Sequence, residues 1–219
     1  MELFEDLRIP PGAFFVRLDV RKASKLLRRR DEVFHSKLLE AFEFIRSRGL
    51  PAYLALAISD ELNILFGDFF SRRLEKVVSL TASLVTLKLG MPVDARIAYT
   101  PSLLSAVKYL ERRQVLGYRN ALMKEAYERA LERYKDPSRA RSEASKPIDV
   151  LRREYSYYMP KRALLGTIAR DEGRDSRDLR SPEGKKRLIK ILESLPLEWS
   201  EKLVRNRASR RRCSARDFS

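Results

Sequence analysis

The chain has 219 residues, with 46 Lys and Arg against 30 Asp and Glu, and a formal net charge of +16. Its 44% hydrophobic content excludes a fully disordered protein, and its single Cys excludes a disulfide framework or a cysteine-rich zinc site. The longest apolar run, residues 50–58, is too short for a membrane span of about 20 residues. Acidic residues near the start are atypical of a signal peptide, so we expect a soluble, cytoplasmic protein without a membrane partner.

The excess positive charge predicts a polyanionic partner. It favours nucleic acid through counterion release and electrostatic steering. Residues 202–216 hold seven basic residues and no acid, so we predict a basic arm over residues 202–219 that contacts RNA. An Arg-rich ion-pair network is the alternative, although such networks should be closer to charge-balanced.

The first hundred residues predict the order strand, helix, strand, strand, helix, strand. Apolar runs indicate strands over residues 13–19, 52–58, 62–66 and 93–99. Apolar residues at helical spacing indicate helices after Ser24 and after Ser71. This order is the ferredoxin-like βαββαβ unit, an α+β fold whose antiparallel sheet has strands one and three as central neighbours.

The remaining residues predict helical additions. A helix runs from about residue 102 to Tyr134, where Gly117 can divide it, and completes a catalytic domain over residues 1–135. The small and polar segment 136–147 (DPSRARSEASKP) predicts a linker, followed by a helical or mixed region over residues 148–201.

Two adjacent carboxylates, Asp60 and Glu61, separate the second and third apolar runs. They repel each other and are an uncommon choice for a tight turn, and a divalent cation would relieve that repulsion. The predicted topology brings Asp19, at the end of the first strand, to the same edge of the sheet. This arrangement predicts a two-metal nucleotidyl-transfer site, and a solvated turn beside an unrelated Asp is the alternative.

Other side chains have two interpretations each. Arg17, Arg21, Lys22, Arg73 and Lys76 suit triphosphate contacts or a solvated surface. Tyrosines at positions 155, 157 and 158 suit base stacking or core packing. The single histidine, His35, is predicted to pack rather than to bind a metal.

Five short motifs follow one another along the chain. They are residues 17–21 (RLDVR), 58–66 (ISDELNILF) and 73–79 (RLEKVVS), the pairs Arg113-Gln114 and Arg119-Asn120, and residues 160–162 (PKR). In order and spacing they resemble the tRNA-His guanylyltransferase family, whose patterns are R-[LV]-D-G-R, F-S-D-E-x-N-x-L in archaeal members, R-x-E-K-x-x-S, R-Q-x-E-A-W-R-N and P-x-W-Q-R-R. The resemblance covers about residues 3–165.

This resemblance implies a polymerase palm with added C-terminal helices that works in the 3′–5′ direction. The expected activity adds a nucleotide to the 5′ end of tRNA after a nucleoside triphosphate has activated the 5′-phosphate. GTP is the expected donor of the added nucleotide. Two Mg²⁺ ions are the implied cofactors, GTP and ATP the substrates, and a dimer or tetramer the implied assembly.

The resemblance also implies roles for individual residues. The implied metal ligands are Asp19, Asp60 and the main-chain carbonyl of Val20, with Glu61 beside them as a catalytic residue. The implied nucleotide contacts are Val20, Arg21, Lys22, Ala23, Ser24, Ser59 and Asp60, together with Arg73 and Lys76, which are chosen for their charge. The RNA contacts are Arg113, Arg119, Asn120, Lys161 and Arg162.

Two departures from the family patterns leave alternatives open. Val20 stands where the family has Gly, and Leu116 stands where it has an acidic residue. One alternative is a template-dependent polymerase that repairs tRNA 5′ ends. The other is an RNA-binding protein on the same fold that has lost turnover, against which stand the retained Asp19, Asp60 and Glu61.

Overall fold

The computed structural model describes residues 7–21, 32–67, 73–159, 161–170, 173–197 and 199. The predicted nucleotide contacts Lys22, Ala23 and Ser24, the side chain of Arg162 and the predicted basic arm lie outside the described residues.

Strands and helices alternate first and helices dominate later. The strands are β1 (Phe14–Val20), β2 (Ala52–Ile58), β3 (Glu61–Phe66), β4 (Val93–Tyr99), β5 (Thr167–Arg170) and β6 (Gly173–Asp175). The helices are α1 (Glu32–Ser47), α2 (Leu74–Leu89), α3 (Leu103–Tyr134), α4 (Pro137–Ala144), α5 (Ile148–Tyr155), α6 (Lys161–Leu165) and α7 (Pro182–Ser194). A short 3₁₀ turn, Ser156–Tyr158, follows α5.

The strands form one antiparallel sheet in the order β4-β1-β3-β2-β5-β6. The first four strands confirm the ferredoxin-like prediction, with β1 and β3 as central neighbours. The sequence did not predict the β5–β6 hairpin, which extends the sheet beside β2. In the central pair, Phe14 faces Phe66 at one end and Asp19 faces Glu61 at the other.

Hydrophobic cores cover both faces of the sheet, because successive side chains of a strand point to opposite sides. On one face, α1 and α2 pack on the sheet through Phe14, Val16, Leu18, Ile64, Leu38, Phe42 and Val85. On the other face, α3 and α7 pack on it through Phe15, Leu56, Leu65, Val107, Leu110, Leu188 and Leu192. Arg17 and Asp19 lie two and four residues after Phe15 in β1, so they are on the same side of the sheet as Phe15 and face α3.

Helix α3 is continuous, so the expectation that Gly117 divides it is wrong. A capping box between Ser102 and Ser105 begins the helix, and Lys135 in a left-handed conformation ends it. Gly117 is needed for close packing, since a Cβ at this position would overlap the side chain of Ile58 in β2. This contact holds α3 against the end of the sheet where β2 turns into β3.

The segment 136–147 contains helix α4, so the linker prediction is wrong about local structure. Asp136 caps the helix by accepting a hydrogen bond from the N–H of Ser138, and Pro137 occupies its first turn. Ala140 and Ala144 are buried, because small side chains let α4 lie close to α3. Residues beyond Gly117 therefore pack with α4 and α5 around Leu122, Ala126, Ala144 and Leu151. We call this part, residues 118–159, the helical extension.

None of the helices in the described part of the chain has both the length and the apolarity needed to cross a bilayer.

Candidate active site at the hairpin edge of the sheet

A two-residue turn, Ser59 and Asp60, joins β2 to β3. Ser59 adopts the left-handed conformation, with φ of 53°, that tight hairpin turns require. The main-chain N–H of Val20 donates to the carbonyl oxygen of Asp60 at 3.1 Å and ties the end of β1 to the turn. Asp19 faces Glu61 across the two central strands. The prediction that Asp19, Asp60 and Glu61 meet at one edge of the sheet is confirmed, and we call this edge the hairpin edge.

Four charged side chains form a partly buried cluster at the hairpin edge. Arg17 donates to the Asp19 carboxylate from one end of its guanidinium, and its Nε lies 2.7 Å from Glu61 Oε1. Arg113, from α3, donates to both carboxylate oxygens of Glu61. The cluster of two carboxylates and two guanidinium groups is formally neutral, which allows it to lie between the sheet and α3.

Glu61 is the most deeply buried member of the cluster, with 8% of its side chain exposed. Burial raises the pKa of Glu61, and the hydrogen bond from Arg113 together with the charge of Arg17 opposes that rise. Since both oxygens of Glu61 accept from Arg113, we interpret Glu61 as a group that positions the two arginines.

Tyr109 and Asn63 form a hydrogen-bonded layer next to the charged cluster. The hydroxyl of Tyr109 donates to Asn63 Oδ1 at 2.7 Å, and Asn63 Nδ2 donates to the carbonyl oxygen of Leu56 at 3.4 Å. The Tyr109 ring stacks on Phe15 with 4.5 Å between ring centroids. Burial raises the pKa of Tyr109, so the phenol stays protonated and remains a donor. Tyr109 and Asn63 therefore form a fixed hydrogen-bonded layer next to the two guanidinium groups.

Asp19 and Asp60 are the candidate ligands for a cation, whereas Asp94, which faces Asp19 from β4, pairs with Arg21 at 3.6 Å. Asp19 keeps 30% of its side chain exposed, and Asp60 is half-buried. Among the described residues, no group of three or more His, Cys, Asp or Glu side chains is arranged to hold a metal ion. Mg²⁺ is often bound by one or two carboxylates, with substrate phosphates and waters completing its ligands. The donor set therefore fits Mg²⁺ brought with a nucleotide better than a metal site built by the protein alone.

The predicted phosphate contacts fall into two groups. Arg21 follows β1 directly and lies at the hairpin edge, where its Nε is 3.6 Å from Asp94. Arg73 and Lys76 lie at the start of α2, beyond the end of β3 where Phe66 faces Phe14. A helix of 16 residues is about 24 Å long. The structure thus separates Arg73 and Lys76 from Asp19 and Asp60 by roughly the length of α2.

The predicted RNA contacts are also divided. Arg113 is paired with Glu61 and has 15% of its side chain exposed, so it is less accessible than the other predicted RNA contacts that the structure describes. Arg119 and Asn120 are exposed on α3, about two turns after Arg113, and Lys161 is exposed at the start of α6. These three side chains are accessible to a large ligand.

Sequence reasoning missed the part played by Gln114, which is buried in α3. Its Nε2 donates to the carbonyl oxygens of Leu165 and Arg177 at 2.8 and 2.6 Å, and its Oε1 accepts from the N–H of Leu179 at 2.7 Å. Gln114 thereby fastens the segments on either side of the β5–β6 hairpin to α3. A polar residue on the apolar side of a helix was the available signal.

Comparison of the sequence with protein-family models gives no match. Comparison with curated proteins gives no significant match either. The structure is similar to the crystal structure of tRNA(His) guanylyltransferase from Saccharomyces cerevisiae. The TM-score is 0.67 at 17% identity, over 79% of this chain and 91% of that chain.

Two further similar structures contain a nucleotide. A bacterial tRNA(His) guanylyltransferase-like protein in complex with ATP gives a TM-score of 0.65 at 16% identity, over 85% of this chain and 93% of that chain. A structure of such a bacterial protein in complex with GTP gives 0.63 at 15% identity, with the same coverage. The chain therefore has the palm fold, with added C-terminal helices, of the solved tRNA(His) guanylyltransferase structures.

Proposed function

We propose that the chain is a nucleotidyltransferase that adds a nucleotide to the 5′ end of tRNA in the 3′–5′ direction, with GTP as the main donor. The observation that carries this proposal is the meeting of Asp19 and Asp60 at the end of the two central strands. The shared fold with proteins in complex with ATP and GTP supports it, as does the net charge of +16.

In the proposed reaction, the 5′-phosphate of the RNA first attacks the α-phosphorus of a nucleoside triphosphate, forms a phosphoanhydride and releases pyrophosphate. The 3′-hydroxyl of GTP then attacks the activated 5′-phosphorus, forms a phosphodiester bond and displaces the nucleoside monophosphate. Asp19 and Asp60, with the carbonyl of Val20 nearby, are the residues that would hold Mg²⁺. When bound, Mg²⁺ would neutralise the triphosphate and lower the pKa of the attacking hydroxyl.

The hairpin edge also orients its carboxylates. Arg17 donates to Asp19, and Glu61 holds Arg17 and Arg113 in place. Held in this way, the Asp19 carboxylate loses little freedom when a cation binds, which favours binding of the nucleotide. Among the described residues, Arg21 is an accessible cation at this edge that suits a phosphate, and Ser59 in the turn offers an accessible hydroxyl.

The exposed Arg119, Asn120 and Lys161 are proposed to contact the RNA beyond the hairpin edge. The roles of Lys22, Ala23, Ser24 and Arg162 remain predictions. The dimeric or tetrameric assembly and the cytoplasmic location remain predictions as well.

The experiment that tests the proposal offers labelled GTP or ATP, with Mg²⁺, to the full chain. The RNA substrates are a 5′-monophosphorylated tRNA-His transcript and a 5′-truncated tRNA. Label on the intact tRNA-His is the expected result and identifies a guanylyltransferase. Label mainly on the truncated RNA identifies the 5′-end repair polymerase. Tight binding of both RNAs without label would contradict the proposal and identify an RNA-binding protein on a palm fold.

A further inference from the structure

The helical extension carries an open surface pocket that is separate from the hairpin edge. Its volume is about 640 Å³, within the range of small-ligand sites. The end of α3, helix α4, helix α5 and the 3₁₀ turn that follows α5 form its walls. Its lining includes the arginines Arg129, Arg133 and Arg153 and the tyrosines Tyr155, Tyr157 and Tyr158.

Hydrogen bonds and ion pairs fix the shape of the pocket. The hydroxyl of Tyr155 donates to Glu143 Oε1 at 2.9 Å and links α5 to α4. Lys146, between these helices, pairs with Glu143 and also with Glu154, the latter at 3.2 Å. Lys146 offsets one of these two carboxylate charges. The lining itself holds three arginines and three glutamates, so with Lys146 the pocket has a formal charge of about +1 and does not repel an anion.

Two tyrosine rings and an arginine contact one another at the pocket. The rings of Tyr157 and Tyr158 are tilted by 37° to each other with centroids 3.9 Å apart, and the Arg129 guanidinium lies 3.5 Å from the Tyr158 centroid. Both neighbours are too close to share one face of Tyr158, so they cover its two faces. Tyr157 is 69% exposed, so its outer face is open to solvent. A planar group can therefore stack on the outer face of Tyr157.

Two exposed cations lie in the same pocket as the tyrosine pair. Arg133 and Arg153 line the pocket and are exposed, and the side chain of Arg153 is 76% exposed. The nearest carboxylate to Arg153, that of Asp149, lies at 3.9 Å, which is a weak, solvent-screened pairing. Aromatic rings that stack on bases, together with cations that follow the backbone, are the features by which proteins bind single-stranded nucleic acid.

We propose that this pocket binds one unpaired nucleotide of an RNA, with the base stacked on Tyr157 and the adjoining phosphates beside Arg133 and Arg153. The choice of RNA over a free nucleotide rests on the proposed function, whereas the stacking itself does not. The pocket would act as a second anchor for the RNA, since it lies in the helical extension and Asp60 lies at the hairpin edge.

The test measures binding of a fluorescein-labelled single-stranded RNA of 12 nucleotides to the full chain by fluorescence anisotropy. Loss of one stacking ring should weaken binding about tenfold in Tyr157→Ala. Tyr157→Phe keeps the ring and should bind within about twofold of the wild type. Leu87→Ala is the matched control, because Leu87 is 70% exposed on α2 and its truncation removes a similar amount of exposed surface.

A second pair of variants tests the phosphate contacts. Arg153→Gln should weaken binding and make its salt dependence shallower, whereas Arg48→Gln removes the same charge from the end of α1 and should change neither by as much. Equal effects of the two arginine variants would mean that only the net charge matters, which contradicts the proposal.

Three further outcomes would overturn the proposal. Unchanged binding by Tyr157→Ala would remove the stacking site. A change in the sedimentation of Tyr157→Ala would make this face a contact between copies of the chain. Binding of GMP as tight as that of the oligonucleotide, and abolished in Tyr157→Ala, would make it a free-nucleotide site. Asp60→Ala is expected to bind the same oligonucleotide normally, so failure of the transfer reaction and failure of this site are distinguishable.

Discussion

The hairpin edge and the helical extension differ in how far their charged side chains are buried and paired. At the hairpin edge, two arginines and two carboxylates are partly buried, balance one another and are held by paired strands. In the helical extension, aromatic and basic side chains are exposed on helices joined by short turns. Transfer chemistry needs fixed carboxylates, because small displacements reduce the rate strongly. RNA binding instead needs accessible rings and charges, so under the proposed function the hairpin edge would carry out the transfer and the helical extension would hold the RNA.

The largest expected difference between the two regions is in catalysis. Asp60→Ala should lower nucleotide transfer by about 100-fold or more, because binding of a metal ion at the reacting phosphates contributes several kcal/mol. Its RNA affinity should stay within about twofold of the wild type, since the helical extension is unchanged.

Asp94→Ala is the matched control for Asp60→Ala. Asp94 also lies at the hairpin edge, and its side chain is 56% exposed beside Arg21. Transfer by Asp94→Ala should stay within about threefold of the wild type. Equal loss of RNA binding and transfer in Asp60→Ala would mean that Asp60 is structural.

Removal of residues 202–219 should affect binding and leave the chemistry intact. The seven basic residues of this segment predict a loss of RNA affinity of about tenfold at moderate salt. The salt dependence of binding should become shallower by about one unit of slope for each phosphate that the segment no longer neutralises. A chain with these seven residues changed to Gln should behave like the deletion. An unchanged salt slope in either variant refutes a role for the segment.

Stability should separate the buried arginine from its exposed neighbour. Arg113→Leu leaves the buried Glu61 with Arg17 as its remaining partner, and we expect a loss of about 2 kcal/mol in the free energy of unfolding. Arg112→Leu, at the adjacent exposed position, should change it by less than about 0.5 kcal/mol.

A double variant sharpens the stability test. Glu61→Gln combined with Arg113→Leu should cost less than the sum of the two single changes, because the two residues interact directly. Strict additivity in urea denaturation would show that the pair contributes nothing to stability beyond its separate members.

The smallest expected effect is a pH dependence from His35, which lies on the opposite side of the sheet from α3. The His35 ring nitrogen lies 2.9 Å from the Thr167 hydroxyl, and burial, with a smaller contribution from the charge of Arg174, lowers the His35 pKa. The unfolded chain then binds a proton more readily than the folded chain below about pH 6.5. The contribution of His35 to the free energy of unfolding is therefore fully present above that pH. It is lost as the pH falls through the lowered pKa of His35 in the folded chain.

Urea denaturation at pH 7.5 and pH 5.5 checks this sign. The wild type should lose more stability between these pH values than His35→Gln does, since the other titrating groups are common to both proteins. An equal loss in the two proteins would show that His35 does not titrate differently in the folded and unfolded chains.

The sequence predicted the hairpin edge well, because the order of strands and helices determines which strands are neighbours in the sheet. Asp19 and Asp60 are far apart in the chain, yet the βαββαβ order alone brought them together. The ion pair between Glu61 and Arg113 was not predictable, since it depends on where α3 crosses the sheet. That crossing depends on Gly117 fitting against Ile58, a packing detail that local patterns do not carry.

The helical extension was predicted less well for a related reason. The composition of residues 136–147 is typical of a linker, but buried Ala140 and Ala144 fold this segment onto α3. Tertiary packing here outweighs local preference. Arg73 and Lys76 were likewise not placed correctly from local sequence. Their charge suggested phosphate contacts, but the direction of α2 places them at the far end of the sheet.

The most direct test of the central claim is whether Asp60 mediates stabilisation of the chain by GTP and Mg²⁺. A ligand that binds only the folded state raises the midpoint of thermal unfolding. The wild type and Asp94→Ala should both be stabilised by GTP with Mg²⁺, and Asp60→Ala should show little or no shift. Equal stabilisation of all three proteins, or of none, would contradict a nucleotide site at the hairpin edge.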